Sequence, residues 1–397
     1  MACGLWPVAF FSPMRICLIY DCLYPHTVGG AERWYRNLAE RLAADGHDVT
    51  YLTRRQWPRG TDPGVPGVKV IAVAPGLPLY VKSGRRSVVE PLVFGAATLL
   101  HLLARGRRYD VVHTASFPYF HLLTAALLRP LHRYRLVVDW HEVWTRAYWR
   151  EYLGALGGPI GAAVQRLCLL VPQRAFCFSR LHAERLRELG LRGEPTVLEG
   201  EYAGSLEPHL SKEARPVVVF AGRHIPEKRA PALVPAFARA RERLPELRLE
   251  LFGDGPERPE VLRRVRELGC DGAIDVPGFV PAERVEEALR SALCMVLPSR
   301  REGYGLIVVE ASAQGTPSVV VRDPDNAATE LVEEGVNGFV AASASADDLA
   351  EAILRVHEAG PAMRDSTADW SARNAQRLSL AHSLDVVAEA YRASARS

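Results

Sequence analysis

At 397 residues the chain is long enough for two or three domains with ample core. Its make-up, 48% hydrophobic and 24% charged, is that of a soluble globular protein, and a net charge of +3 argues against a dedicated nucleic-acid binder, which would carry a strong basic excess. The positive charge is nearly all arginine: the lysines are Lys69, Lys82, Lys212 and Lys228, a bias that points to a GC-rich bacterial genome and makes each lysine worth locating.

Residues 1–13 hold a short apolar stretch, Leu5–Phe11, without the basic flank and small-residue cleavage site of a signal peptide. They read as an extension or a misassigned start, with Met14 opening the fold. Strands are expected at Ile16–Tyr20, Val49–Leu52, Val68–Val73, Val111–His113, Leu136–Asp139 and Ala175–Phe178. Helices are expected between them at Ala31–Asp45, Ser87–Arg105, Tyr119–His132, Pro159–Leu170 and Arg180–Leu189. Periodicity then fails over residues 199–215, which gather Gly, Ser, Pro and charge as a linker would.

The alternation restarts with strands at Pro216–Phe220, Leu249–Phe252, Ile274–Val276, Leu293–Leu297 and Ser318–Val321. Helices are expected at Pro231–Arg243, Glu257–Leu268, Glu283–Ser291, Leu306–Ala313 and Ala346–Glu358. The prediction is an α/β protein: residues 14–198 and 216–370 each form a doubly wound, Rossmann-like domain of parallel strands, the two facing a central cleft. Residues 371–397 form a C-terminal helix packing back toward the first domain. No apolar run reaches the roughly 20 residues of a membrane span. The seven cysteines make no metal-spaced cluster, and a reduced cytoplasmic setting is expected.

The richest segment is Glu302-Gly303-Tyr304-Gly305-Leu306-Ile307-Val308-Val309-Glu310. It reads as strand, glycine loop, helix N-terminus, and such a terminus suits a phosphate ester. The two carboxylates are then placed for the hydroxyl-rich parts of such a ligand. Eight helical residues rise roughly 12 Å, against about 5–9.5 Å for a glycosidase pair, which speaks mildly against that reading because Glu302 falls before the helix; two solvated glutamates on a surface helix are the other reading. Gly29 and Gly30 open a helix and permit close backbone approach, though Glu32 beside them suits a bare helix start equally well. Arg223 and Lys228 share the loop after the first strand of the second half, where they can clamp phosphate or stand solvated. His141 follows the strand Leu136–Asp139 and can donate a hydrogen bond or serve structure. The loop after the first strand lacks the Gly-x-Gly-x-x-Gly of a dinucleotide dehydrogenase, and there is no Walker loop.

Together Gly29-Gly30-Ala31-Glu32-Arg33, Gly222-Arg223 with Lys228, Phe252-Gly253-Asp254-Gly255-Pro256, Gly278-Phe279-Val280, Pro298-Ser299 leading into Glu302–Glu310, and Gly335-Val336-Asn337-Gly338-Phe339 resemble retaining glycosyltransferase family 4, of the two-domain GT-B fold. The resemblance covers almost everything from Met14, with greater specificity in the second half. It implies that Arg223 and Lys228 bind the donor diphosphate, Glu302 contacts the donor sugar and Glu310 holds the ribose hydroxyls. It further implies that Phe279 and Val280 face the nucleobase and that His141 lies near the transferred sugar, with Gly29, Gly30, Tyr304, Gly305 and Leu306 completing the donor contacts. Where the family often has a glycine pair before a hydrophobic-Pro-Glu, this chain has Asp325-Asn326-Ala327-Ala328-Thr329-Glu330, which leaves the donor contacts there open.

The implied activity is transfer of a hexosyl-type sugar from a UDP- or GDP-linked donor to a hydroxyl of a lipid-linked, polysaccharide or small-molecule acceptor, with no metal and no cofactor. A sugar-nucleotide epimerase and a non-catalytic sugar-nucleotide binder are the alternatives. The aromatics Trp140, Trp144, Tyr148 and Trp149 could stack on an acceptor or pack the domain. Arg129, His132, Arg133 and Arg135, beside apolar Leu122–Leu128, raise peripheral contact with the inner face of a membrane, against a core helix with a basic end.

Overall fold

The computed structural model describes residues 13–79, 87–205 and 214–393. The Leu5–Phe11 stretch, Cys3, Lys82, Lys212 and most of the expected linker lie outside the described residues. The chain divides into two compact units. The first holds the chain up to Phe176, Leu186–Pro195 and the residues from Ala388; the second holds Cys177–Arg185 and Thr196–Val387.

In the first unit β1 (Arg15–Ile19), β2 (Asp48–Arg54), β3 (Lys69–Ala74), β4 (Val111–Ala115), β5 (Arg135–Trp140) and β6 (Arg174–Cys177) lie in one sheet in the order β3-β2-β1-β4-β5-β6. The β1-β2, β1-β4, β2-β3 and β4-β5 pairs are parallel. Helices α1 (Gly30–Ala44), α2 (Val89–Arg105), α3 (Phe120–His132) and α4 (Arg146–Leu170) alternate with these strands, and the helix α5 (Arg180–Glu188) belongs to the second unit up to Arg185. Parallel strands are covered on both faces, which is why Ile16–Ile19 is an unbroken apolar run and why Ile16–Ile19 and Val111–Ala115 are fully buried, His113 and Thr114 included. α1 buries Trp34, Tyr35, Leu38, Ala39 and Leu42, one helical stripe.

A short β7 (Thr196–Val197) precedes the second sheet. That sheet holds β8 (Val217–Ala221), β9 (Arg248–Phe252), β10 (Ile274–Gly278), β11 (Cys294–Leu297), β13 (Ser318–Val321) and β15 (Gly338–Ala341), in the order β10-β9-β8-β11-β13-β15. Separately, β12 (Arg301–Glu302) pairs in parallel with β14 (Asp325–Asn326). The helices are α6 (Leu233–Arg241), α7 (Arg258–Glu267), α8 (Ala282–Ser291), α9 (Leu306–Ala313), α10 (Ala346–Ala359) and α11 (Pro361–Leu378), followed by α12 (Leu380–Ala393), whose residues from Ala388 belong to the first unit. In each sheet the strand order reverses once, beside β1 in the first and between β8 and β11 in the second. Ligands of such sheets gather outside the strand ends at that reversal.

Two expectations change. α4 begins at Arg146, not Pro159, and its 25 residues are broken at Gly154 (φ 79°). It is long and apolar enough to meet the length and hydropathy of a membrane span, which the sequence reading did not find in any run. The signature Gly335–Phe339 also runs into a strand, β15, because Gly338 (φ 156°) brings the backbone against Ser318 of β13.

Candidate active site

The second unit concentrates the chemistry at its strand reversal. β8 leads through Gly222 and Arg223 into a single 3-10 turn, Pro226–Lys228. β11 leads through Ser299 into β12, which carries Glu302. The reversal makes β8 and β11 neighbours, so the two loops meet: Lys228 Nζ lies 2.5 Å from Glu302 Oε1. Ser299 Oγ donates to the same oxygen at 2.6 Å. Glu302 is buried, and Lys228 keeps about a fifth of its side chain exposed. A charge-assisted pair beside a helix start gives one anion-seeking cation and one hydroxyl-seeking carboxylate within reach of a single ligand.

Asn326 holds that carboxylate's strand in place. Its amide donates to Ser299 O at 3.1 Å and to Val321 O at 2.8 Å, and its carbonyl accepts from Ala328 N at 3.1 Å. The segment that departs from the family's glycine pair is thus a fixed turn. Ala328 in turn sits under Gly305, where an added Cβ would come within 2.6 Å of its methyl group. Gly305 has φ 106° and caps the first turn of α9, so the Gly305-Leu306 amides open the helix that carries Glu310. Glu330, last of the departing segment, accepts from Arg180 N at 2.9 Å and Leu181 N at 2.6 Å, capping the start of α5.

The Arg223 loop rests on a second one. Gly253 (φ 115°) follows β9, and a Cβ there would stand 1.9 Å from Gly222 O. His224 N donates to Asp254 O at 2.9 Å, and Gly253 N donates to Gly278 O at 2.8 Å. Three loops, after β8, β9 and β10, therefore stack edge to edge. Arg223 is exposed on the first, and Phe279, 72% exposed, stands at the end of the third beside Val280. A large aromatic left in water at a strand end is available for stacking. Tyr304 is placed differently: it is buried, and its hydroxyl donates to Glu199 O at 2.5 Å, anchoring the segment that enters the second unit.

In the first unit Gly29 is the residue before α1 and Gly30 its first residue, with the Glu32 carboxylate folded back over Gly29. His141 follows β5 and is half-buried. Burial, against the opposing pull of Asp139 and Glu142, lowers its pKa to about 4, so its ring is neutral at neutral pH. Behind it Asp139, fully buried, accepts from Trp34 Nε1 at 2.7 Å and lies 2.8 Å from His113 Nε2. His113 Nδ1 is 2.5 Å from the Tyr391 hydroxyl. Burial alone would raise the Asp139 pKa, but the charge and hydrogen bonding of His113, with smaller help from His141 and Trp34, hold it below its ordinary value.

Sequence reasoning missed Ser299, Asn326, Asp139 and His113. Ser299 follows Pro298 ahead of Glu302, and nothing in that spacing signals that its hydroxyl touches the carboxylate. The aromatic cluster resolves to packing: Trp140, Trp144, Tyr148 and Trp149 are all buried, with Trp149 Nε1 donating to Gln165 Oε1 at 3.3 Å. Among the described residues no three His, Cys, Asp or Glu side chains are grouped to hold a metal ion.

Known proteins match along the chain. The family model described as "Glycosyl transferase 4-like domain" matches residues 29–198, and "Glycosyl transferases group 1" matches 205–376. The alpha-D-kanosaminyltransferase of Streptomyces kanamyceticus is 26% identical over 218 residues, 54% of this chain. The match spans 56% of that relative, so the chain spans only about half of its length. A glycogen synthase of Mycobacterium tuberculosis is 28% identical over 363 residues, 86% of each protein. Among solved structures, a sucrose-phosphate synthase from Thermosynechococcus elongatus superposes with a TM-score of 0.78 at 21% identity, over 97% of this chain and all of that one. Anabaena HepE in complex with UDP-glucose gives 0.72 at 18% identity, over 96% of this chain and all of that one.

Proposed function

Because the chain belongs to the group 1 glycosyltransferases and has their GT-B fold, we propose that it moves a hexosyl-type sugar from a UDP- or GDP-linked donor to a hydroxyl acceptor, with retention of anomeric configuration and without a metal ion. The observation that carries this reading is the Lys228–Glu302 pair at the strand reversal, beside the α9 N-terminus. Breaking the anomeric C–O bond leaves charge on the diphosphate. Lys228, Arg223 and the amides at Gly305-Leu306 stabilise that charge as it develops, from loops already in place. Glu302, held by Ser299, takes the hydroxyls of the donor sugar. Glu310, one turn into α9, takes the ribose, and Phe279 with Val280 meets the base. The acceptor approaches from the leaving-group face, and a phosphate oxygen accepts its proton. The neutral ring of His141 orients the sugar by hydrogen bonding. UDP-sugars are the first donors to test, since a neighbouring fold binds UDP-glucose.

A thermal-shift screen of sugar nucleotides, followed by assays of acceptor-dependent nucleotide release, tests the whole reading. Release that does not depend on any acceptor would favour an epimerase or a hydrolase. Activity is expected to survive EDTA, because side chains and helix amides neutralise the leaving group; loss on chelation, restored by Mg²⁺ or Mn²⁺, would reject that part.

The two glutamates should separate by titration calorimetry. Glu310→Gln should weaken binding of the nucleoside diphosphate as well as of the donor, since both carry the ribose. Glu302→Gln should keep nucleoside diphosphate affinity and impair transfer, since its sugar partner is missing from that ligand. The opposite pattern would reverse the two roles.

A further inference from the structure

The exposed apolar side chains of this protein are gathered in one region. Of the fourteen large ones exposed among the described residues, ten lie on α2, α3 and α4 of the first unit. Leu92, Leu100 and Leu103 share one side of α2, and Leu127 and Leu131 one side of α3. On α4, past the break at Gly154, Ile160, Leu167 and Leu170 repeat at helical spacing while Gln165, Cys168 and Leu169 turn inward. The helices lie side by side. Thr124 of α3 donates to Gly95 O of α2 at 3.2 Å. Tyr119, at the start of α3, donates to Gln165 of α4 at 2.9 Å, and Arg129, near the end of α3, donates at 2.6 Å to Pro172 O just past α4. Three outward apolar stripes therefore adjoin on one face, and exposed apolar side chains gathered in this way mark an interaction surface.

Charge selects what covers it. Between residues 87 and 176 eight arginines are exposed, against one exposed acidic residue, Glu151. A symmetric second copy would set arginine against arginine. Where α3 and α4 end, a groove of about 620 Å³ is lined by Arg129, Arg133, Arg135, Leu167 and Leu170, guanidinium groups and leucines on the same walls. That pairing fits a phosphate headgroup continuous with an acyl chain. α4 has the length of a membrane span, but its break at Gly154 and its buried Tyr148, Trp149 and Gln165 suit a helix lying along an interface rather than through it.

We propose that the α2-α3-α4 face docks on an anionic lipid bilayer, its leucines entering the headgroup–acyl boundary and the groove arginines holding a lipid phosphate. Flotation of the full chain with vesicles tests this, whether or not the sugar transfer is as proposed. Recovery is expected with phosphatidylcholine–phosphatidylglycerol vesicles and not with phosphatidylcholine alone, and it should fall as salt rises. Arg133→Glu should weaken vesicle affinity roughly 30-fold, the factor for two elementary charges at the surface. Ile160→Asp should remove most binding by placing charge in the apolar stripe. Unchanged circular dichroism and nucleoside diphosphate binding would show that both variants fold. Failure to float with anionic vesicles at low salt would overturn the proposal, as would variants that float like the parent. A dimer in sedimentation equilibrium that Ile160→Asp splits would assign the face to a second copy. Competition by millimolar inorganic phosphate that leaves no vesicle preference would reduce the groove to a free-phosphate site.

Discussion

Asp139→Ala is expected to lower the unfolding free energy by roughly 3–5 kcal/mol, the cost of removing one partner of a buried charged contact. Asp139 and His113 are both fully buried, and the same carboxylate accepts from buried Trp34 Nε1. Alanine leaves two donors without an acceptor, each costing about 1–3 kcal/mol, and a small cavity besides. Asp139→Asn keeps the shape and one acceptor oxygen and should lose less. Denaturant unfolding followed by tryptophan emission suits the measurement, because Trp370 alone among the described tryptophans lies in the second unit. The sign with pH also follows. Asp139 has a folded pKa below its ordinary 3.8, so its contribution is complete above that value and is lost as pH falls through the folded pKa. The variant should show a flatter acid limb below about pH 4. Equal midpoints for the two proteins would mean that the network adds nothing.

Lys228→Ala is expected to reduce kcat/KM by about 10–150-fold, from the roughly 1.5–3 kcal/mol of a lost charge-assisted hydrogen bond. The variant also strips Glu302 of its cation, leaving Ser299 as its remaining named partner. On the roles proposed for Lys228 and Glu302, both the diphosphate contact and the sugar contact would be affected, so kcat should fall along with kcat/KM. Lys228→Arg should not restore activity, since the planar fork cannot sit where a compact ammonium meets one oxygen. Near-parental kinetics for Lys228→Ala would take Lys228 out of the site.

The strands were legible because parallel sheets, covered on both faces, leave continuous apolar runs that few other elements produce, as at Val217–Phe220 and Val319–Val321. The glycine loops were legible because only glycine takes the backbone of Gly253 and Gly305. Pairings were not. Lys228 and Glu302 stand 74 residues apart, and only the strand order makes their loops adjacent. Asp139 and His113 meet because β4 and β5 pair in a register that no local pattern encodes. The first half of α4 was hidden for another reason. Its aromatics advertise a binding surface, and whether such residues face water or core is decided by neighbours such as Gln165, which arrive later in the chain. The outward stripes of α2, α3 and α4 were not legible either, since hydrophobicity alone does not tell an exposed leucine such as Leu127 from a buried one such as Leu128.

The contact between His113 and Tyr391 joins residues 278 positions apart inside one unit. Arg135 likewise donates to Tyr391 O. The first unit is therefore the first to begin and the last to be finished during synthesis. Six strands of its sheet are made by residue 177, but His113 waits for the closing turns of α12. Until then the half-made unit resembles a chain with its lid missing, open to chaperones and proteases through the whole time that the second unit is being made. A stop codon before residue 391 would harm this protein not at its end but at its beginning.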